Sequence, residues 1–431
     1  MFSKNVLKEI IVSNEEFILK QVKRIVNRER IYFPEFLNKT VVFYGVRRSG
    51  KTFILFNLFR KYKGNSLYID FEDERLSGFH LKDFDRLKEA MIELKPHLMD
   101  RELVFLLDEI QNIEGWERFC RRAVERENVK VFVSGSSSRI MPFEIHTELR
   151  GRSWSIEVLP FSFKEYLCAK GIDVNQKSII YGTKKAVVKK LFLDYMQWGG
   201  FPEVCFLRSE LEKKKLIKEY LGAMFFRDLV ERYSMTNISL LDKLTDKLFS
   251  SFSLKFSLTS FYKQYTGRFP FSKDSLYRYF KNYLQSMLVF EVRKFAESTY
   301  KRMRNPAKVY LVDTGLCRRV TSADAGRLLE NVVFLALRRR GYEVFYFEAK
   351  RECDFIARTE NNSFLPIQVS FELNEESSSR DIDGLIEACK WLDIGKGLIL
   401  TYDDEEQELN LDGVNVKISP VWKWSIEAHI G

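Results

Sequence analysis

Residues Gly45-Val46-Arg47-Arg48-Ser49-Gly50-Lys51-Thr52 complete the pattern G-x-x-x-x-G-K-S/T, directly between a β-branched, aromatic run, Thr40–Gly45, and an apolar helical stretch opening at Lys51. No other feature constrains the fold as much. A strand that ends on glycine and hands over to a helix leaves a tight loop whose backbone N–H groups curl inward, with the positive potential of the helix N-terminus behind them. Such a loop cradles phosphates. Gly45, Arg48, Ser49 and Gly50 shape and flank it, Lys51 reaches the β- and γ-phosphates, and the Thr52 hydroxyl ligates Mg²⁺.

The chain around the loop alternates strand and helix. After the helix at Lys51 come a strand at Ser66–Phe71, a helical stretch at Phe84–Leu98 and the very apolar run Leu103–Asp108. A helix at Trp116–Glu127 and a strand at Val129–Gly135 follow. This predicts an α/β fold with a parallel sheet covered on both faces. Leu103–Asp108 carries a second signal, because Asp108-Glu109 stands at its end. An acid at the tip of a strand beside the phosphate loop holds the Mg²⁺ shell, and Glu109 is then placed to activate the attacking water. Paired with the loop, this points to hydrolysis rather than binding alone.

Composition sets the outer limits. With 45% hydrophobic residues and few Gly or Pro, 431 residues can build several cores. No apolar run reaches the length of a membrane span, and the start MFSKNVLKEI lacks a signal-peptide core, so a cytoplasmic protein with no membrane partner is expected. The six cysteines are scattered, without a C-x-x-C pair, which argues against a zinc site or a disulfide framework. Charge is uneven: residues 237–320 carry 16 basic and 6 acidic side chains, residues 321–431 carry 12 and 21. A basic middle and an acidic end suit different partners.

Residues 163–233 read as helical, interrupted at Gly199–Pro202. Beyond them, a helix from Ser272 through Gln285 and two strand-like runs, Leu288–Phe295 and Ala307–Asp313, outline a winged helix. Its helix presents Arg278 and Lys281, and the loop between the strands presents Lys301, Arg302 and Arg304, a pattern suited to duplex DNA. The last stretch returns to α/β, with strands near Glu343–Phe347, Cys353–Ala357, Leu365–Ser370 and Gly397–Tyr402.

Beyond the loop, YIDFED (Tyr68–Asp73), LLDEIQNIEGWE (Leu106–Glu117), VSGSSS (Val133–Ser138), LRGR (Leu149–Arg152) and LPFSFKEYL (Leu159–Leu167) resemble one archaeal and bacterial branch of the AAA-type ATPases. GGFPEV (Gly199–Val204), FFRDLVERY (Phe225–Tyr233) and KVYLVDTGL (Lys308–Leu316) continue the resemblance. It implies a P-loop AAA-type core at 1–162, a helical lid at 163–236, a winged helix at 237–320 and a degenerate restriction-endonuclease-like domain at 321–431. It also implies Ser136 as a polar sensor and Arg152 as an arginine finger, in cis or from a neighbouring subunit of an oligomer. In the nuclease-like domain the acids would be Glu330 and Asp354, but the expected Glu-x-Lys reads Gln368-Val369-Ser370, which removes one carboxylate and the lysine.

The function expected is therefore Mg²⁺-dependent ATP hydrolysis that repositions the winged helix and C-terminal domain on a partner such as double-stranded DNA. ATP is favoured over GTP because no N/T-K-x-D motif follows the loop. Two alternatives stand beside it: an ATP-regulated DNA nuclease, and a nucleotide-dependent switch that docks a protein on the acidic C-terminal domain.

Overall fold

The computed structural model describes residues 2–21, 25–34, 38–136, 149–175, 177–296, 305–319, 324–373 and 375–427. Two compact units divide the chain, Met1–Leu159 and Pro160–Gly431.

Five strands carry the first unit: β1 (Thr40–Gly45), β2 (Ser66–Asp70), β3 (Leu103–Asp108), β4 (Val129–Ser136) and β5 (Ser153–Glu157), in the order β2-β3-β4-β1-β5. Every pairing is parallel, so the chain must cross over between strands. The first crossovers carry α2 (Lys51–Lys61), α3 (Asp83–Leu94) and α4 (Trp116–Arg126), and α1 (Lys4–Gln21) precedes β1. Alternate strand residues feed two apolar layers. Val42, Leu67, Phe105, Leu107 and Val133 pack with α1, α3 and α4, while Val41, Phe43, Tyr68, Leu106 and Phe132 pack with α2. The parallel sheet covered on both faces, expected from the alternation of strands and helices, is present. β5 was not expected; it is a partly exposed edge strand with Ser153, Ser155 and Glu157 in five residues, too polar to stand out.

The second unit begins with the helices Phe163–Ala169, Lys185–Trp198 and Glu210–Ala223, the last continuing as a π-helical segment, Met224–Glu231. Ser162 starts the first of them with a capping box shared with Glu165. There follow a helix at Ile238–Ser250, β6 (Leu254–Phe256), helices at Leu258–Tyr265 and Lys273–Gln285, then β7 (Val289–Lys294) and β8 (Ala307–Leu311). Asn237, Ser257 and Ser272 cap these three helices by accepting from a backbone N–H three residues on. β8 pairs antiparallel with both β6 and β7.

After a helix at Ala325–Arg339 come β9 (Glu343–Glu348), β10 (Glu352–Arg358), β11 (Phe364–Ser370), the helix Glu375–Trp391, β12 (Lys396–Thr401), β13 (Gln407–Leu411) and β14 (Val414–Pro420). Among the described residues, nine strands of this unit form one sheet, β13-β14-β12-β11-β10-β9-β7-β8-β6. Arg293 and Lys294 of β7 pair in parallel with Phe345 and Tyr346 of β9. Strands from before and after residue 320 thus share one sheet.

A buried amide ties the helix Ala325–Arg339 to this sheet. Asn331 Oδ1 accepts from the Leu311 N–H at 2.9 Å and its Nδ2 donates to the Leu311 carbonyl at 3.0 Å. Asn331→Ala strands both backbone groups in the core, and two unpaired buried groups should lower the unfolding free energy by roughly 2–4 kcal/mol. Urea unfolding of the full chain measures this; a loss below about 0.5 kcal/mol, the scale of an ordinary surface substitution, would mean that Leu311 finds other partners.

Candidate nucleotide site

In the order β3-β4-β1, one strand separates the phosphate loop from Asp108, and parallel pairing brings all three strand ends to the same edge. Gly45 ends β1 because no side chain fits: a Cβ there would lie 2.1 Å from the Val158 carbonyl oxygen. The loop then bends through left-handed backbone at Arg48 (φ 64°) and Gly50 (φ 96°). At Arg48, a residue with a Cβ, this costs on the order of 1–2 kcal/mol. The bend places Gly50 at the start of α2, whose first hydrogen bond runs from Ile54 N to the Gly50 carbonyl at 3.3 Å.

Lys51 is buried, and its ammonium donates to the Gly45 and Val46 carbonyls at 3.0 and 2.9 Å. The cation is thus held on the loop itself. The Ser49 hydroxyl is fully buried and has no hydrogen-bond partner among the described residues. A lysine, an orphaned hydroxyl and a helix N-terminus in one loop fit the phosphates of a nucleotide.

Across the sheet edge, Asp108 is buried within a ring of hydroxyls. The Tyr68 phenol donates to its Oδ2 at 3.0 Å, the Ser134 hydroxyl donates to Oδ1, and the Thr52 hydroxyl bonds it as well. Burial first, and the Glu109 charge second, push the Asp108 carboxyl above its usual range, and the hydroxyls work against that rise. Asp70 lies opposite Asp108 in the β2–β3 register, and burial pushes it up to about 7. Asp70, Asp108 and Glu109 bring carboxyl oxygens to the edge where the Thr52 hydroxyl bonds Asp108, a hard-oxygen donor set that fits Mg²⁺. Glu109 itself takes left-handed backbone (φ 48°, ψ 42°), and Gln111 Nε2 donates to its carboxylate.

Register sets Ser136 beside Gly45 at the strand tips, where the sensor was expected. Ser134, which the sequence did not single out, is the serine that reaches Asp108. Arg152 is not brought to this edge. Its carbonyl accepts from Thr40 N at the far end of β1, roughly 17 Å from Gly45 along six residues of strand, and its guanidinium pairs with Glu125. Arg47 pairs with Glu72 at 3.6 Å. A further contributor went unrecognised. Arg28, in the polar segment ahead of β1, donates to the Ser49 carbonyl at 2.8 Å and to the Leu159 carbonyl at 2.5 Å. It pins the phosphate loop from behind, and one arginine among many near the N-terminus carries no sequence signal for that.

In the second unit, Arg278 and Lys281 are exposed on the helix Lys273–Gln285. Lys301, Arg302 and Arg304 lie outside the described residues. Glu330, Asp354 and Gln368 do meet: Gln368 Oε1 accepts from Asp354 N at 3.2 Å, and Glu330 and Asp354 share the ammonium of Lys308. Lys308, in the strand-like run Ala307–Asp313, is buried. Lys350 is exposed, and its backbone N–H donates to Glu387 at 3.2 Å.

Residues 37–167 match the family model of an AAA domain. The uncharacterized protein MJ1544 of Methanocaldococcus jannaschii is 35% identical over 443 residues, covering 99% of this chain and 96% of that protein. The chain belongs to its family. These AAA-domain proteins extend to bacteria, since an uncharacterized Haemophilus influenzae protein is 28% identical over 390 residues, 86% of this chain and 91% of its own. Within the family fold, residues 189–327 and 325–424 match two domains of unknown function, DUF8612 and DUF4143. Among solved structures, Cdc6p from Pyrobaculum aerophilum aligns with 67% of this chain and 89% of its own at 13% identity and a TM-score of 0.24, too loosely to carry an argument. Among the described residues, no helix of this family member is long and apolar enough to cross a membrane.

Arg28 offers a test of the site as built. Arg28→Ala frees the loop backbone and should weaken ATP binding about tenfold, the scale of one charge-assisted hydrogen bond. Arg28→Lys keeps the charge and loses the fork, so it should fall between. Titration with a fluorescent ATP analogue checks both; parental affinity in Arg28→Ala would show that the loop holds its shape unaided.

Proposed function

We propose that this chain binds ATP with Mg²⁺ and hydrolyses it at the ends of β1, β3 and β4, and that nucleotide state repositions its C-terminal segments on duplex DNA. The observation that carries the first half is the meeting of Lys51, Thr52, Asp108 and Glu109 at one edge of the sheet. Mg²⁺, when bound, supplies positive charge against the phosphate oxygens. Thr52 and Asp108 hold that ion. Lys51 exchanges neutral carbonyl partners for charged phosphate oxygens, a stronger bond. Glu109 accepts the proton of the attacking water, with Gln111 fixing one of its oxygens. Ser136 steadies the water from the tip of β4, and Arg152, remote from its own loop, serves the site of a neighbouring copy. The AAA domain and the lack of an N/T-K-x-D motif support ATP as the nucleotide.

Lys51→Ala should weaken ATP binding by roughly 10–100-fold, because a charged partner of the phosphates is lost. Glu109→Gln should keep parental affinity and lose turnover by about 100-fold or more. Phosphate release and nucleotide titration on the purified full chain separate the two effects. Parental turnover in Glu109→Gln would move the general base elsewhere.

The DNA half is favoured by one surface. The order helix, β6, helix, helix, β7, β8 supports a winged-helix reading, and its last helix exposes Lys273, Tyr277 and Lys281 at four-residue spacing with Arg278 alongside. Cations on one helix face suit the phosphates that flank a major groove. Replacing Arg278 and Lys281 with alanine should weaken duplex binding across sequences and reduce the slope of log affinity against log salt by about 2. Binding that ignores both salt and this substitution would favour the protein-docking switch instead.

A further inference from the structure

The acids of the second unit converge on a cation that belongs to the chain. Lys308 of β8 is 3% exposed, and its Nζ lies 3.1 Å from Glu330 Oε1, 2.9 Å from Asp354 Oδ1 and 2.8 Å from Glu352 Oε1. The carboxylates are occupied on other sides too. The Tyr310 phenol donates to Glu330 Oε1 at 2.6 Å, Val369 N donates to Asp354 Oδ2 at 3.1 Å, and Lys255 Nζ donates to Glu352 Oε2 at 2.7 Å. Lys255 also bonds Glu348 at 2.6 Å.

Three carboxylates closing on one point form the donor set that a hard divalent cation uses, with oxygens about 2.0–2.6 Å from the ion. In the nuclease fold that this segment resembles, that ion polarises a phosphodiester. The donors here do not fit it. An ammonium held by three carboxylates and a divalent ion cannot share one point, because the two cations repel and both need the same lone pairs. Gln368, in place of the remaining acid, spends its side-chain oxygen on Asp354 N. Burial works against the Lys308 charge, yet the charge on Asp354 and the charges around it outweigh that and hold the ammonium well above its ordinary range. The lysine therefore stays a cation and does not become a nucleophile or base.

We infer that the Lys308 ammonium is a built-in replacement for a divalent cation, so that the Glu330–Glu352–Asp354 cluster is a sealed ion pair network and not a metal-dependent phosphodiesterase centre. The inference is independent of the nucleotide reading, which concerns the other unit. It also makes a positive demand. Taking the ammonium away should turn the cluster into a divalent-cation site, because three carboxylates would then be left facing one another.

The test titrates Mn²⁺ into nucleotide-free full chain by electron paramagnetic resonance, with Thr52→Ala in every sample to silence the nucleotide site. The Lys308 parent and Asp354→Asn should bind the same number of Mn²⁺ ions. Lys308→Ala should gain one ion per chain, and Lys308→Ala/Asp354→Asn should lose it again. Lys308→Ala should also melt at a higher temperature when Mn²⁺ is added, while the parent does not respond. Should Lys308→Ala fail to fold, the parent decides: one Mn²⁺ bound there and lost in Asp354→Asn overturns the inference. So does Mn²⁺- or Mg²⁺-dependent cleavage of linear or branched DNA by the parent that Asp354→Asn abolishes. A folded Lys308→Ala that gains no Mn²⁺ overturns it as well.

Discussion

Asp108 holds its carboxylate inside the first unit with hydroxyls from three separate elements around it, Tyr68 on β2, Thr52 on α2 and Ser134 on β4. A carboxylate that deep is costly unless hydrogen-bonded, and the hydroxyls offset part of that cost by bonding its charged form. Because the hydroxyls sit on different elements, Asp108 also fixes where those elements end relative to one another. Burial and the Asp108 charge push the Tyr68 phenol well above its usual range, so it stays a donor. The phosphate loop gains its position from the same corner: Thr52 opens α2, and the loop between β1 and α2 has little freedom once both ends are tied. Arg28 removes more of that freedom from behind.

Basic side chains in the second unit are used in two ways, and only one leaves charge on the surface. Arg338 stacks over the Phe290 ring at 4.1 Å, Arg340 over Trp424 at 3.7 Å, and Arg339 donates to the Pro160 carbonyl at 2.8 Å. The two stacked guanidiniums make planar contacts that lysine would not reproduce. Lys255 and Lys308 are spent on carboxylates. Within residues 237–320, Lys255 and Lys308 are thereby withdrawn from what a partner meets, while Lys273, Arg278 and Lys281 stay exposed on the helix Lys273–Gln285.

The phosphate loop and the Asp108-Glu109 pair were legible because their chemistry is local. Gly50 is demanded by left-handed backbone within the loop itself (φ 96°), and an apolar strand ending in acids marks a sheet edge with a buried neighbour. The alternation of strands and helices likewise implied a parallel sheet, since the crossovers must go somewhere. Strands β5 and β6 were missed because each is short and partly exposed, with little periodicity to read. Ser136 was chosen by resemblance, and Ser134, two residues earlier, is the one on Asp108; both follow the same apolar run, and only the strand's pairing distinguishes them.

By itself the sequence determined the α/β class, the glycine-rich loop between β1 and α2 and the acids at the tip of β3. Tertiary structure decided the rest. Arg28 meets Ser49 from 21 residues away. Lys308 meets Asp354 from 46 residues away, and β8 lies three places from β10 in the sheet. The physical reason is one of range. Backbone geometry and side-chain periodicity act over a few residues and leave their pattern in the chain, whereas a buried charge takes its partner from whichever strand the packed sheet brings within about 3 Å, the reach of a hydrogen bond.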